Sequence, residues 1–243
     1  MTATTSASRT ARERARAELT REIKQEARRQ LAAHGAQGLS LRAVARELGM
    51  VSSALYRYFP SRDELLTALI IDAYNALGEV AESAIATDAR PRVRWLAACH
   101  AIRGWALAHP HEYALIYGSP VPGYRAPQAT IGPASRVPVA FMGVLRDAVA
   151  SGAMPAGGDG AVAGPRLGGA LADQAAAIAA ALTAVPGLTA VPSESVVRAV
   201  IAWTQLFGMI SFELFGQFVG SFEPADALFE YAVAQLAAFV GLE

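Results

Sequence analysis

The stretch GLSLRAVARELGMVSSALYRYFPSRDELL, residues 38–66, decides how the first part of this chain folds. Ser40 is a residue type that caps helices, and the apolar residues after it recur at helical spacing until Gly49. A second short run, residues 51–58, has the same spacing and is stopped by Pro60. Two short helices joined by a tight turn that contains glycine form a helix-turn-helix.

A helix-turn-helix is suited to DNA because its second helix can enter the major groove, which is about 12 Å wide. In this chain the second helix has an apolar back and a front of small and polar residues. That front, which we call the recognition face, consists of Ser52, Ser53, Ala54, Tyr56, Arg57 and Tyr58. The pattern alone leaves a second interpretation open, in which an ordinary turn joins two core helices.

Residues 38–66 closely resemble the DNA-binding domain of the TetR family of bacterial transcriptional repressors. The signature of that family has a glycine in the turn, a Leu-Tyr pair, an aromatic pair ending in Phe, a basic residue and paired leucines. The residues that match it in order and spacing are Gly49, Leu55, Tyr56, Tyr58, Phe59, Arg62, Leu65 and Leu66. The resemblance is therefore far more specific than a general helix-turn-helix pattern.

The resemblance implies particular DNA contacts. Ser40 and Arg42, at the start of the first short helix, would contact the DNA backbone or a base edge. Tyr56 would donate its hydroxyl to a phosphate, and Arg62 would bind the next phosphate at the N-terminus of the following helix. The remaining residues of the recognition face are the candidate base readers, namely Ser52, Ser53, Ala54 and Arg57, with Tyr58 beside them.

Val51 departs from the family pattern, which has Ser or Thr as the cap of the recognition helix. Either Ser52 caps the helix one residue later, or the helix begins without a cap at a cost of about 1 kcal/mol. The sequence leaves both registers open. The next helix has a clearer start, because Ser61 and Glu64 have the spacing of a capping box.

We predict an all-α protein with an N-terminal helix-turn-helix domain of three helices and a larger helical domain after it. Residues 1–11 show no hydrophobic period and are expected to form a flexible basic arm. Residues 12–60 would form the DNA-binding domain, 61–88 a connecting helix, and 89–243 a ligand-binding and dimerisation domain. The helices expected in that last domain cover residues 91–109, 134–151, 166–185, 193–219 and 224–241. A further helix is expected to start within residues 109–118.

The formal net charge is zero, but the basic and acidic residues are unevenly distributed along the chain. Residues 1–66 carry 12 Arg or Lys against 7 Asp or Glu, and the remainder carries 9 against 14. The basic part is where a polyanion such as DNA would bind. A lone Cys99 cannot form an internal disulfide, and the N-terminus has no apolar run typical of a signal peptide, so we expect a cytoplasmic protein.

The stretch 199–222 comes nearest to a membrane span. Glu213 is its only charge, and polar residues interrupt it at short intervals, which favours a buried helix. A helix that is apolar on nearly every side needs more cover than a small domain provides. We therefore expect a homodimer built from the last two helices, with Phe212 and Phe215 at its interface and no contact with a membrane.

Two segments, RGWALAHPHEYALIYGSPVPGY from Arg103 and WTQLFGMISFELFG from Trp203, resemble a ligand-binding C-terminal domain. Some actinobacterial TetR-type regulators carry this domain, the WHG type, which is named for a Trp, a His and a Gly. Trp203 and Gly208 fit that pattern, whereas Phe207 stands where His is expected. The resemblance implies a small-molecule effector of unknown identity.

One face of the helix over residues 91–109 places His100 and Arg103 between two leucines. Such polar groups inside a helical domain either satisfy each other or hold a ligand, and the sequence leaves both open. Further candidates for lining the cavity are aromatic, although aromatic residues at helical spacing also build cores. They are Trp95, Tyr113, Tyr117, Trp203 and Phe207.

Other patterns carry little chemistry. Residues 158–163, GDGAVA, match a dinucleotide-binding pattern, but no strand precedes them, so we interpret them as a loop. The histidines have no zinc-motif spacing, and we expect no metal, cofactor or catalytic residue.

The sequence predicts a DNA-binding transcriptional regulator that is released from a palindromic operator by a ligand. The alternatives are a helical enzyme and a dimerisation module without DNA, each with a vestigial DNA-binding domain.

Overall fold

A computed structural model of the chain describes residues 3–154, 167–185 and 191–242, with side chains from residue 11 onward. Within these ranges the regular structure consists of ten α-helices and two short 3-10 helices, Ala36–Gly38 and Gln128–Thr130. The predicted all-α class is confirmed. The α-helices are α1 (Ala3–His34), α2 (Leu41–Glu47), α3 (Ser52–Leu55), α4 (Arg62–Ile85), α5 (Pro91–Ala108), α6 (Pro110–Tyr117), α7 (Ile131–Ala150), α8 (Gly169–Leu182), α9 (Ser193–Leu214) and α10 (Asp226–Phe239).

The described chain forms two compact units. The first contains the chain up to Ala73 together with His111–Ile131, and the second contains Tyr74–Pro110 and the chain from Gly132 onward. Helix α4 is continuous and contributes to both units. The units therefore differ from the expected boundary at residue 89, because most of α6 and the segment after it belong with the first unit. The glycine-rich residues 158–163 lie outside the described residues.

Helix α1 begins at Ala3, so the prediction of a flexible arm over residues 1–11 is wrong for residues 3–11. The prediction depended on a hydrophobic period, which only a helix that packs along its whole length requires. Residues 11–18 are exposed and rich in Ala, Arg and Glu, which are strong helix formers. Once α1 is nucleated further along, each added residue extends it at little cost.

The first unit is built around the side chains that follow the predicted helical period. Its core combines buried residues of α1, α2, α3 and α4, which are Ile23, Ala27, Leu31, Leu41, Val44, Ala45, Leu55, Leu65, Leu66 and Leu69. Ser40 caps α2 as predicted, since its Oγ accepts a hydrogen bond from the backbone N–H of Ala43 at 3.4 Å. Gly49 makes the turn after α2 with a positive φ of 65°.

The second unit contains α5, α7, α8, α9 and α10. Helix α9 buries one face, and its other faces carry exposed apolar residues such as Val200 and Phe212 in this single chain. By length and composition alone α9 could cross a membrane. It ends at Leu214 and not at residue 219 as expected, because Gly216 adopts a positive φ of 75° that a helix does not allow.

Arginine–carboxylate pairs join the helices of the second unit. Arg136 of α7 binds Glu82 of α4 through two hydrogen bonds of 2.8 and 2.6 Å. These bonds hold the pKa of Glu82 below its ordinary value. In the same way, Arg94 of α5 donates to Asp147 of α7 at 2.8 Å.

Candidate nucleic-acid interface

The recognition face lies on a short, well-anchored helix. Leu55 of α3 is fully buried and Phe59 is nearly so, which fixes the back of the segment in the core. Ser53, Tyr56 and Arg57 are exposed, and the other three residues of the recognition face are partly exposed. The structure therefore brings together the polar front predicted from the sequence, and Tyr56 and Arg57 are free to meet a partner molecule.

The structure also decides the register of this helix. Helix α3 begins at Ser52, and Val51 stands at the N-cap without a side-chain hydrogen bond. The helix without a side-chain cap is thus the correct alternative. The α-helix is shorter than the predicted 51–58, because the backbone N–H groups of Arg57 and Tyr58 bond three residues back and tighten the last turn before Pro60.

The polar residues near the recognition segment differ in exposure and in the hydrogen bonds that they already make. Ser40 is occupied as the α2 cap, with its own N–H donating to the Gln30 side chain, whereas Arg42 is exposed. Ser61 accepts a hydrogen bond from the Glu64 N–H at 3.1 Å, which is one half of the predicted capping box. Arg42 is therefore freer than Ser40 to contact DNA in this conformation.

Arg62 has an intramolecular role in this structure. Its Nη2 donates to the Ala36 carbonyl at 2.7 Å and its Nε to the Leu39 carbonyl at 3.3 Å. Nη1 also lies 3.5 Å from an Asp63 carboxylate oxygen. Arg62 thus fastens the turn before α2 to the start of α4, and a phosphate contact would require the guanidinium to leave these carbonyls.

The sequence analysis missed Arg12 and Arg16 of α1. Both are exposed and line a groove that Ala54 and Arg57 of the recognition segment also line. The signal that could have found them is the spacing of four residues, which places two arginines on one face of a helix. Both arginines lie within the predicted DNA-binding domain, 12–60, but outside the stretch 38–66 on which the predicted DNA contacts rest.

An ion-pair network connects α1, α4 and α6 within the first unit. Asp72 of α4 accepts hydrogen bonds from Lys24 and Arg28 of α1, each at 2.8 Å. Arg28 also donates to Glu112 of α6 at 2.9 Å. These side chains are mostly shielded from water, so the network fixes the positions of the three helices more firmly than exposed pairs would.

The predicted ligand-binding residues are divided between the two units. Tyr113 and Tyr117 belong to the first unit, where their ring centroids lie 5.2 Å apart. The remaining candidates belong to the second unit, and they are Trp95, His100, Arg103, Trp203 and Phe207. Trp203 and Phe207 pack edge to face at 5.8 Å, so the residue that replaces the expected histidine serves as an aromatic partner.

Arg103 is engaged by protein carboxylates rather than open to a ligand. It binds Glu213 through two hydrogen bonds of 2.8 and 2.6 Å and Asp226 through one of 3.0 Å. The predicted neighbour His100 is half exposed and lies 3.7 Å from a Glu230 oxygen. The two polar groups on this face of α5 therefore pair with separate acidic residues and not with each other.

Two indole groups in the second unit lack a hydrogen-bond partner. The Nε1–H groups of Trp95 and Trp203 are buried and donate to no acceptor among the described residues. Leaving such a donor unsatisfied costs about 1–3 kcal/mol. Buried donors of this kind are sites where an acceptor atom of a bound molecule would gain affinity.

An apolar surface follows the end of α9. Phe212 and Phe215 are 54% and 48% exposed. Together with two residues of the following segment they form what we call the aromatic patch, which consists of Phe212, Phe215, Val219 and Phe222. The rings of Phe212 and Phe222 both pack against Phe218, which connects these exposed side chains. Large exposed apolar regions are candidates for an interface with another molecule.

Two sequence families match the chain. Residues 23–69 match the family described as bacterial regulatory proteins, tetR family. Residues 95–236 match the family described as Tetracyclin repressor-like, C-terminal domain. The first match covers the helix-turn-helix with the adjoining parts of α1 and α4, and the second covers more than half of the chain.

Several known proteins are similar to this chain. The HTH-type transcriptional regulators Rv1816 of Mycobacterium tuberculosis and Mb1846 of Mycobacterium bovis are each 50% identical to it over 143 residues. That match spans 57% of this chain and 60% of each relative. The crystal structure of regulatory protein SCO4313 is 37% identical, with a TM-score of 0.72 over 93% of this chain and 98% of that one. A protein of unknown function from Rhodococcus sp. RHA1 has the same fold, with 23% identity and a TM-score of 0.64 over 91% and 93% of the two chains.

Proposed function

Because the chain belongs to the TetR family of bacterial regulatory proteins, we propose that it is a ligand-released transcriptional repressor in the cytoplasm. It binds a palindromic operator as a homodimer. The observation that carries this proposal is the recognition face, which presents exposed Ser53, Tyr56 and Arg57 on a helix anchored by buried Leu55. The exposed tyrosine and arginine are thus available to DNA, while the buried leucine holds the helix in place.

DNA contact follows from the chemistry of the recognition face. The short helix α3 has small residues at its start, which allow close approach to base edges in the major groove. The Tyr56 hydroxyl and the Arg57 guanidinium can reach flanking phosphates, which fix the register of the protein on the duplex. Contacts of both kinds are needed for specific binding.

A twofold homodimer explains why the operator would be palindromic. The aromatic patch and the exposed faces of α9 and α10 offer an apolar surface that a second copy would cover. A twofold dimer presents two recognition faces, and these bind half-sites about one helical turn, roughly 34–36 Å, apart. The operator is therefore expected to be an inverted repeat.

Salt dependence provides a direct test of this proposal. Two protomers that each neutralise several phosphates with Arg57 and neighbouring arginines displace condensed counterions from the duplex. The logarithm of the association constant should fall with the logarithm of salt concentration at a slope steeper than about −4. Titrating the purified protein against the DNA that flanks its own gene, at several salt concentrations, measures the slope. A shallow slope, with equal affinity for unrelated DNA, would contradict the proposal.

The effector is a small molecule bound in the second unit. The partnerless Nε1–H groups of Trp95 and Trp203 favour a ligand with hydrogen-bond acceptors and an apolar or aromatic body. Phe207 of the same unit remains a candidate for contacts with that body, and His100 for a polar contact. Arg103 is already bound by Glu213 and Asp226, so a ligand contact would require it to leave these carboxylates.

Release of DNA is transmitted by α4. This helix has Arg62 at its N-terminus, held to the turn before α2, and it continues without a break into the second unit. A ligand that displaces the far end of α4 changes the separation of the two recognition faces in the dimer. A change of a few ångströms is enough to lose the match with the half-sites.

Thermodynamic linkage tests the ligand-release mechanism. If the ligand weakens operator binding, it must bind the DNA-free protein more tightly by the same factor, about 5- to 150-fold. A compound found by its stabilisation of the protein in thermal melts can be titrated by calorimetry with and without operator DNA. Equal affinity in the two titrations would contradict the mechanism while leaving DNA binding intact.

In Trp203→Phe, which removes one partnerless donor, ligand affinity should fall while ligand-free operator affinity stays within about threefold.

A further inference from the structure

A basic groove lies between the first half of α1 and the recognition segment. It has a volume of about 480 Å³. Its cationic lining residues are Arg12 and Arg16 of α1 and Arg57 of the recognition segment, and Ala54 and Tyr58 also line it. No acidic side chain of the described residues lines it. The groove thus concentrates positive charge directly beside the face that we assign to base reading.

Arg16 is held in position for an anion. Its guanidinium carbon lies 4.9 Å from the centroid of the Tyr58 ring, which is within range of a cation–π interaction. Its Nη2 donates to the backbone carbonyl of Arg57 at 3.4 Å. This bond uses one donor of a group that carries several, and the side chain is exposed. The other donors therefore face solvent from a restricted side chain, so binding an anion costs less conformational entropy.

Arg12 extends this positive surface along α1. It lies four residues before Arg16, so the two side chains are neighbours on one helix face, about 6 Å apart along the axis. That spacing is comparable to the separation of successive phosphates on one DNA strand. Because α1 is helical through this region, Arg12 stays in register with Arg16.

We infer that Arg12 and Arg16 bind successive phosphates of the DNA backbone that borders the major groove entered by α3. This inference rests on the proposed DNA-binding function and adds two phosphate contacts to it, those of Arg12 and Arg16, which we call the phosphate row. The row positions the duplex and carries no sequence information of its own, because phosphates are the same at every step. Tyr58 supports the row by stacking on Arg16, in addition to its place on the recognition face.

The test compares salt slopes for Arg16→Ala and Arg12→Ala with that for the wild-type protein. Fluorescence anisotropy with labelled operator and with an unrelated duplex measures affinity over a series of salt concentrations. Each lost phosphate contact lowers the slope by about 0.9 per protomer, so each substitution should make it shallower by about 2 in the dimer. Arg21→Ala is the matched control, because Arg21 is an exposed arginine of the same helix that pairs with Glu18 and does not line the groove.

Two further measurements separate phosphate binding from a structural role. Arg16→Lys keeps the charge but loses the planar donor, so its slope should stay near the wild-type value while its affinity falls. Arg16→Gln provides a second neutral variant if Arg16→Ala fails to give a wild-type circular dichroism spectrum. Unchanged slopes in folded neutral variants, or a loss of stability without a change in slope, would overturn the inference.

The unrelated duplex keeps this inference separate from the proposed function. If the wild-type protein selected no operator, the proposed repressor function would fail. The phosphate row would still be tested, because contacts with phosphates also operate on DNA of any sequence. Equal salt slopes for the wild-type protein and the neutral variants on that duplex would then show that Arg12 and Arg16 do not bind phosphates, whatever the outcome for the proposed repressor function.

Discussion

Replacing Phe212 with arginine is expected to give a monomeric protein whose operator affinity is at least about 100-fold lower, because simultaneous binding of two half-sites is lost. Phe212 is 54% exposed, and its ring centroid lies 5.9 Å from that of Phe218. A guanidinium placed in an apolar interface between two copies would be desolvated without a partner. Sedimentation equilibrium measures the mass, and anisotropy measures the operator affinity.

Val93→Arg is the matched control for this experiment. Val93 of α5 is a similarly exposed apolar residue that lies outside the last two helices, so the substitution adds the same charge elsewhere in the second unit. This variant should stay dimeric and bind the operator as the wild-type protein does. A wild-type protein that sediments as a monomer at dilute concentrations would show that the aromatic patch has another purpose.

Replacing Arg103 with alanine is expected to lower the free energy of unfolding by about 1–3 kcal/mol, because the partly buried Glu213 carboxylate then lacks its charge-assisted hydrogen bonds. The Arg103 side chain is 11% exposed and that of Glu213 is 17% exposed. Without the guanidinium, the Glu213 carboxylate loses two hydrogen bonds while it stays largely shielded from water. Urea denaturation followed by circular dichroism measures the change.

A double substitution tests the cause of this instability. Arg103→Met combined with Glu213→Leu removes both buried charges, so it should recover most of the stability lost in Arg103→Ala. Asp226 is largely exposed and stays solvated in the double variant. A loss below about 1 kcal/mol in Arg103→Ala would mean that the ion pair contributes no more than a surface pair does.

The sequence predicted the first unit well because its signals are local. The cap at Ser40, the stop at Pro60 and the spacing of buried Leu55 and Phe59 each act within a few residues. These features specify the helix-turn-helix before any distant contact forms. The local errors concern helix ends. Helix α1 begins earlier than predicted because an exposed helix leaves no hydrophobic period to detect, and α3 is shorter because its last turn tightens before Pro60.

The candidate ligand site was harder to predict because it depends on contacts between distant residues. Arg103 and Glu213 are 110 residues apart in the chain, so no spacing rule could pair them. The sequence grouped Tyr113 with Trp95 by residue type, and the structure places them in different compact units. The residues of the recognition face, by contrast, all lie within the segment 52–58, so local spacing alone brings them together.

Selection of genomic fragments tests the central claim most directly. The purified protein is incubated with a pool of genomic fragments at two salt concentrations, and the bound fragments are sequenced. The account predicts one enriched inverted repeat with half-sites about one helical turn apart, enriched more strongly at the higher salt because specific contacts survive there. Recovery of fragments without any enriched inverted repeat would contradict it.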